Sequence, residues 1–469
     1  MALTLYVMQA RRMPDLQIWH ENVLAGEFRA RDAVDSFEAY LAREAELFDA
    51  LDAFVRAAPT GTATFSRFVA HSSSNPSRFA PNWNRSFVLD AAAPRGGALL
   101  LHGLSDSPYS LRTVGEQLNA LGLVVVGLRI PGHGTLPGAL TRATRHDWRA
   151  AVRLAAKHVA SRARGGPFFI VGYSNGAALA VDYTLEALAS GEQPPPDRLV
   201  LFSPALAVSR AAALARFQRW LSRVPGLHKL GWTDVLPEYD PYKYNSFPIE
   251  AGEQIYDLTQ DLRTHIDARV AAQPRSDLPP VLAFQSVVDA TIPAHAVITD
   301  FLDRLPMPKS ELVLFDVNHR AAAEDLMRPG PAALLNRVLQ SAARPYAVTM
   351  VTNADPESGE VVARSRIAGQ TTWVEAPLAL SWPAGVYSLS HVALPIPPAD
   401  PIYGDAHATR GSGLNLGAIE PRGERGVLVL SADQLMRLRH NPFYAYVAAR
   451  LEAFTLDAIA EARREPAGR

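Results

Sequence analysis

The chain has no cysteine, which excludes disulfides, thiolate metal ligands and a thiol nucleophile together. It also lacks a surplus of either charge: 46 Lys and Arg stand against 47 Asp and Glu, a net charge of −1. A phosphate backbone would meet no basic excess, so nucleic acid is not expected as a partner. No apolar run approaches the ~20 residues of a membrane span. The apolar start, Met1 to Met8, has no charged region before it and no small-residue cleavage site after it, so it does not read as a secretory signal. It reads as a short arm packing on the body, or as the end of a longer anchor. His-Glu-x-x-His, Gly-x-x-x-x-Gly-Lys-Ser/Thr and a dinucleotide-type Gly-x-Gly-x-x-Gly after the first strand are all missing, and no metal or organic cofactor is expected. Compartment and oligomeric state stay open: cytoplasmic, or membrane-associated through such an anchor, with peripheral membrane contact compatible with the apolar start.

What is present is an ordinary globular balance, 48% hydrophobic and 20% charged over 469 residues, enough for a sizeable core. Residues 15–58 carry apolar positions at helical spacing, among them Leu41, Leu47, Leu51 and Phe54, and residues 1–60 are expected to form an N-terminal helical arm. From Gly97 short apolar runs alternate with helical stretches: strands at 98–101, 123–130, 168–171 and 199–202, helices at 107–121, 147–162 and 175–188. This is the pattern of an α/β fold whose mostly parallel sheet is covered by helices on both faces. The rhythm breaks at Ser203-Pro204, and residues 207–275, without a clear strand, read as a helical lid. It resumes with strands at 281–284 and 311–315 around a helix at 294–304. An extended C-terminal segment of about residues 346–440 follows, with strands expected at 346–352 and 385–390. A helix over 442–460 closes the chain, so that residues 61–469 make one domain with two elaborations.

The chemistry-bearing motif is Gly172-Tyr-Ser174-Asn-Gly176, a Gly-x-Ser-x-Gly at the end of one expected strand and the start of an apolar helix. The nucleophile sits there on a strained turn, and glycines two residues to either side let strand and helix approach without Cβ clashes. A second buried strand ends in His102-Gly103-Leu104-Ser-Asp-Ser-Pro, and a third in Pro131-Gly-His133-Gly. Both histidines read as loop-shaping.

These three motifs, in this order and at these spacings, resemble the α/β-hydrolase superfamily, near its monoacylglycerol lipase and carboxylesterase branch. The resemblance covers roughly residues 86–345. It implies a serine esterase or lipase acting on a small-molecule or lipid ester through a catalytic triad, with Ser174 on the nucleophile elbow and the amides of Leu104 and Asn175 as oxyanion hole. A thioesterase or serine aminopeptidase would use the same triad, and a non-catalytic binding protein could keep the fold. Family order places the acid after the lid, at Asp289 in Phe284-Gln-Ser-Val-Val-Asp289. Of the later histidines, His295, His319, His391, His407 and His440, only His319 and His391 follow expected strands. His319 stands at the spacing of a compact hydrolase. His391, in Ser-Leu-Ser-His-Val-Ala-Leu-Pro ahead of Asp400-Pro-Ile-Tyr-Gly404, resembles the histidine loop of a subset with an extended tail. His391 is preferred and His319 kept as the alternative. With an Asp partner the base would titrate near pH 7, above an ordinary imidazole at about 6.5. The lid, with Phe217, Trp220, Leu221, Leu227, Leu230 and Trp232, is apolar enough to line an acyl pocket, and an ordinary packed helical insertion fits that composition equally.

Overall fold

A computed structural model describes residues 7–8, 12–57, 65–207, 221–222, 224, 226–272, 278–305, 307, 309–321, 330–340, 343–405, 415–417, 431 and 435–464. Its centre is a ten-stranded sheet. Strands β2 (Gly96–Leu101), β3 (Leu123–Leu128), β4 (Phe168–Tyr173) and β5 (Arg198–Phe202) are buried at every position. So are β8 (Val281–Ser286) and β9 (Glu311–Phe315), as continuous apolar runs require when helices cover both faces. With β1 (Phe87–Leu89), β10 (Ala347–Asn353), β11 (Glu360–Arg366) and β12 (Val374–Ser381), the order is β1-β3-β2-β4-β5-β8-β9-β10-β11-β12. Pairing is parallel from β3 through β10. It is antiparallel at the two ends, where β1 meets β3 and the chain folds back through β11 and β12.

Helices α1 (Phe37–Ala57), α3 (Arg145–Arg162), α4 (Asn175–Ser190) and α5 (Ile249–Ala271) pack on one face, and α2 (Arg112–Ala120) and α7 (Tyr444–Arg464) on the other. A further helix, α6 (Gly330–Gln340), precedes β10. Helix α3 begins at a capping box, Thr144 bonding the Asp147 amide and Asp147 the Thr144 amide, which satisfies two otherwise free donors.

Three expectations need correction. The inserted segment does contain strands, β6 (Trp232–Asp234) and β7 (Phe247–Pro248), paired with each other. Its later part, α5, buries Leu258, Leu262 and Ile266 in the main core beside α4, so it belongs to the body rather than to a lid; Phe217 and Trp220 lie outside the described residues. Third, residues 385–390 form no strand: Gly385 lies in a turn at φ 76° and residues 386–390 have no regular secondary structure. Their carbonyls are taken by side chains and loop amides at the ends of β8 and β9: Asn318 Nδ2 donates to Val386 O (2.8 Å), the Asn318 amide to Tyr387 O (2.8 Å) and Ser286 Oγ to Leu389 O (2.8 Å). Alternating side chains alone cannot distinguish that from a sheet partner. The helix expected at 294–304 is a π-helical stretch, Ala296–Leu302.

Helix α1 is tied to the sheet by a buried ionic cluster. Arg129, just past β3, meets Glu44 of α1 at 2.8 Å and Glu27 at 3.0 Å, while Glu44 also accepts from the Ser86 amide and hydroxyl and Tyr40 donates to the Arg129 carbonyl. Removing one carboxylate from such a cluster leaves an under-compensated charge in a dry site. Glu44→Ala is therefore expected to lower unfolding stability by about 3 kcal/mol, whereas Arg364→Ala, in the exposed pair with Glu375, changes it by less than about 1 kcal/mol. Urea unfolding midpoints of the two variants measure the difference.

Candidate active site

Ser174 stands between β4 and α4 at φ 54°, ψ −115°, a left-handed backbone that a residue with a Cβ adopts only when its surroundings force it. The surroundings are clear. A Cβ on Gly172 would lie 2.4 Å from Ala177 Cα, and one on Gly176 only 1.9 Å from the Leu101 carbonyl oxygen. The Ser174 amide donates to Phe202 O of β5, and its carbonyl accepts from Ala177, Ala178 and Ala205. The side chain is thereby presented at the C-terminal edge of the parallel strands.

Leu104 and Asn175 line the same cavity as Ser174. Asn175 opens α4, so its amide has no helical acceptor behind it, and the Leu104 amide has no partner among the described residues. The loop carrying Leu104 is held by His102, whose Nε2 accepts from the Ile130 amide and whose Nδ1 donates to Gly103 O. His133 is likewise buried, its Nδ1 on the carbonyls of Ile130 and Pro131. Both rings are structural in this arrangement. The Asn175 carboxamide is fully buried, with neither polar atom hydrogen-bonded.

Asp289 follows β8. Its side chain is 0% exposed and accepts from the amides of Thr291 and Ile292 (2.9 Å each) and from Gln285 Nε2 (3.2 Å). His391 arrives on a short 3₁₀ turn after the anchored stretch 385–390. Its Nδ1 lies 3.7 Å from Asp289 Oδ1, an ion-pair distance but longer than a hydrogen bond. That nitrogen instead accepts from Arg437 Nη2 at 2.9 Å, and no hydrogen bond joins His391 to Ser174 Oγ. His391 and Ser174 share a cavity of about 520 Å³. His319 is elsewhere, its Nε2 3.1 Å from Asp316, whose carboxylate also accepts from Thr352, and it does not line the cavity. His295 is exposed, His440 bonds the Tyr403 carbonyl, and His407 lies outside the described residues.

The sheet order, the elbow and its glycines coincide with a sequence match: residues 92–316 fit the family described as Serine aminopeptidase, S33. The chain has the α/β-hydrolase fold. It is 34% identical over 85 residues to the thermostable monoacylglycerol lipase of Bacillus sp. (strain H-257), a match spanning 18% of this chain and 33%, about a third, of that relative's length. Among solved structures it is similar to the monoacylglycerol lipase of Paleococcus ferrophilus (20% identity, 50% of this chain and 89% of that one, TM-score 0.37). It is also similar to a soluble variant of the monoglyceride lipase of Saccharomyces cerevisiae (14% identity, 49% and 81%, TM-score 0.37).

The cavity departs from the sequence reading in its walls. Leu221, Leu227 and Leu230 form their own small cluster and Trp232 packs edge-on against His20, so none of them lines it. Its apolar wall comes from Leu104, Leu236, Phe247, Ile255, Ile292 and Ile396. Its polar wall holds two ion pairs, Lys243 with Asp106 (3.1 Å) and Arg439 with Asp240 (3.2 Å), and Arg437. Of these, Asp106 was findable, two residues beyond the amide of Leu104; an arginine in Met436-Arg-Leu-Arg439 carries no such signal. Among the described residues no group of three His, Cys, Asp or Glu is placed to hold a metal.

Burial, then the nearby charges of Arg437 and Lys243, push the His391 imidazole well below its ordinary value, opposite to the rise expected from an Asp partner. Burial also raises the Asp289 carboxyl, against the pull of the Ile292 and Thr291 amides. His265 runs the other way, raised by its hydrogen bond to Asp182. In an NMR titration His391 is therefore expected to bind its proton only below about pH 6.5 and His265 to hold its own above it. A His391 midpoint near 7 would show that Asp289 outweighs burial and the two cations.

Proposed function

We propose that this α/β-hydrolase cleaves carboxylic esters, acylglycerol-like ones among them, through a seryl acyl-enzyme. The observation that carries the reading is the presence of Ser174, on its strained elbow, and His391 in one cavity, with the buried Asp289 carboxylate behind the imidazole. In this reading Ser174 Oγ attacks the acyl carbon while His391 Nε2 takes its proton, and the amides of Leu104 and Asn175 stabilise the tetrahedral oxyanion. Collapse of that intermediate breaks the bond to the alcohol, which leaves with the proton from His391. Water then repeats the sequence on the acyl-enzyme and releases the acid. Asp289 orients the ring and stabilises the imidazolium. The monoacylglycerol lipase relative supports an ester substrate, and the apolar wall suits an acyl chain.

The family description favours a second reading, an aminopeptidase. An α-ammonium group needs carboxylates to receive it; of those in the cavity wall, Asp106 and Asp240 are already paired with Lys243 and Arg439, which leaves Asp234 alone for that role, while Arg437 beside His391 adds a positive charge to the same wall, and this supports the ester reading over it. Ser174→Ala is expected to abolish fluorophosphonate labelling and to reduce p-nitrophenyl ester hydrolysis by about 10⁴-fold or more, while aminoacyl p-nitroanilides are not turned over by the wild type. His391→Ala should cost about as much, and His319→Ala less than about tenfold. Labelling at another serine, or the reverse ranking of the two histidines, would overturn the assignment.

A further inference from the structure

Three cations line the cavity around Ser174, and they are not equivalent. Lys243 and Arg439 are each neutralised by a carboxylate of the wall. Arg437 is not: among the described residues no carboxylate lies within ion-pair distance of it, and the remaining carboxylate of the wall, Asp234, is not its partner. The Arg437 guanidinium donates to two neutral acceptors, His391 Nδ1 at 2.9 Å and Thr291 Oγ1 at 3.1 Å.

The contact with His391 has a chemical consequence. A guanidinium can only donate, so an imidazole accepting at Nδ1 carries its proton on Nε2. That tautomer cannot take a proton from Ser174, and it gives Asp289, 3.7 Å away, no N–H to accept. The productive form needs the proton on Nδ1, facing Asp289. Arg437 therefore holds the histidine in its idle tautomer until something draws the guanidinium away. An anion is the group an unneutralised arginine binds better than a neutral imidazole.

We propose that Arg437 is a specificity-determining residue that receives a carboxylate carried by the ester substrate, and that this pairing releases His391 Nδ1 to turn to Asp289. The proposal rests on the hydrolytic reading of Ser174, Asp289 and His391. On release the ring exchanges its Nε2 proton for one on Nδ1 through water, with no net change of charge. A single guanidinium, with Asp234 on the same wall, suits a monoanion better than a doubly charged phosphate. The preferred substrate is then a half-ester of a dicarboxylic acid or an ester with a carboxylate on its alcohol side.

The test compares monoethyl adipate with ethyl hexanoate, of similar length but for the terminal carboxylate, by pH-stat on the full chain, on Arg437→Ala and on Arg437→Lys. The wild type is expected to favour the adipate in kcat/KM by about tenfold or more. Arg437→Ala should lose that preference chiefly through KM and gain several-fold in kcat on ethyl hexanoate, because its histidine is no longer held. Arg437→Lys should restore part of the preference. The His391 midpoint in an NMR titration should also rise in Arg437→Ala, with Lys243, Asp289 and Tyr173 still facing the ring. A parallel pair, butanoyl glycolate against propyl butanoate, tells whether the carboxylate is read on the acyl or the alcohol side. Equal use of the neutral and charged esters by the wild type, or an equal loss on both in Arg437→Ala, would overturn the proposal while fluorophosphonate labelling of Ser174 left the hydrolase reading standing. No labelling and no turnover of any of the esters would overturn both.

Discussion

Without side chains at Gly172 and Gly176, helix α4 begins so near strands β2 and β4 that Ser174 is confined to a backbone conformation costing about 1–3 kcal/mol. The candidate site is arranged around that close approach. It sets the start of α4, and with it the positive end of the helix dipole and the free amide of Asn175, at the point where Ser174 is presented. It also brings the end of β2 against the elbow, so that the loop carrying Leu104 and held by His102 lies along the same cavity. The parallel strands, buried on both faces, are the frame rigid enough to hold such a turn.

A second constraint is delivery of the histidine. The chain leaves the parallel sheet after β10, adds β11 and β12 in antiparallel pairing at the edge, and returns across the strand ends. The return is fixed by donors from the body, Ser286 and Asn318, and by Asp400, which accepts from Tyr109 and pairs with Arg112. Tyr403 reaches on to Asp240, the carboxylate already held by Arg439. The same residues that anchor the tail thus form part of the cavity wall, and fold and pocket share their polar contacts.

The parallel sheet was legible because strands buried on both faces must be written as unbroken apolar runs, as in Leu123 to Leu128, and the elbow because only glycine tolerates the contacts at positions 172 and 176. The body's helices were legible from their periodicity. What escaped was set by tertiary contact. Residues 385–390 alternate as a strand does, yet their carbonyls meet side chains instead of a neighbouring strand. Helix α5 could not be told from a lid helix, since an apolar stripe does not say which surface it meets. Arg437 and Lys243, which border the cavity and lower the His391 pKa, gave no local pattern, because a charge is placed in a pocket by the course of the whole chain.

The position of His391 in the chain sets an order of assembly. Ser174 and Asp289 follow strands that can pair as soon as the first half of the molecule and β8 are made, whereas His391 comes only after a further hundred residues and four more strands. During synthesis, at about 5–20 residues per second, the growing molecule holds Ser174 and Asp289 for several seconds before His391 is made. The three residues come together last, through contacts distant in sequence, and under the proposed mechanism the nascent chain stays inert until its tail has docked.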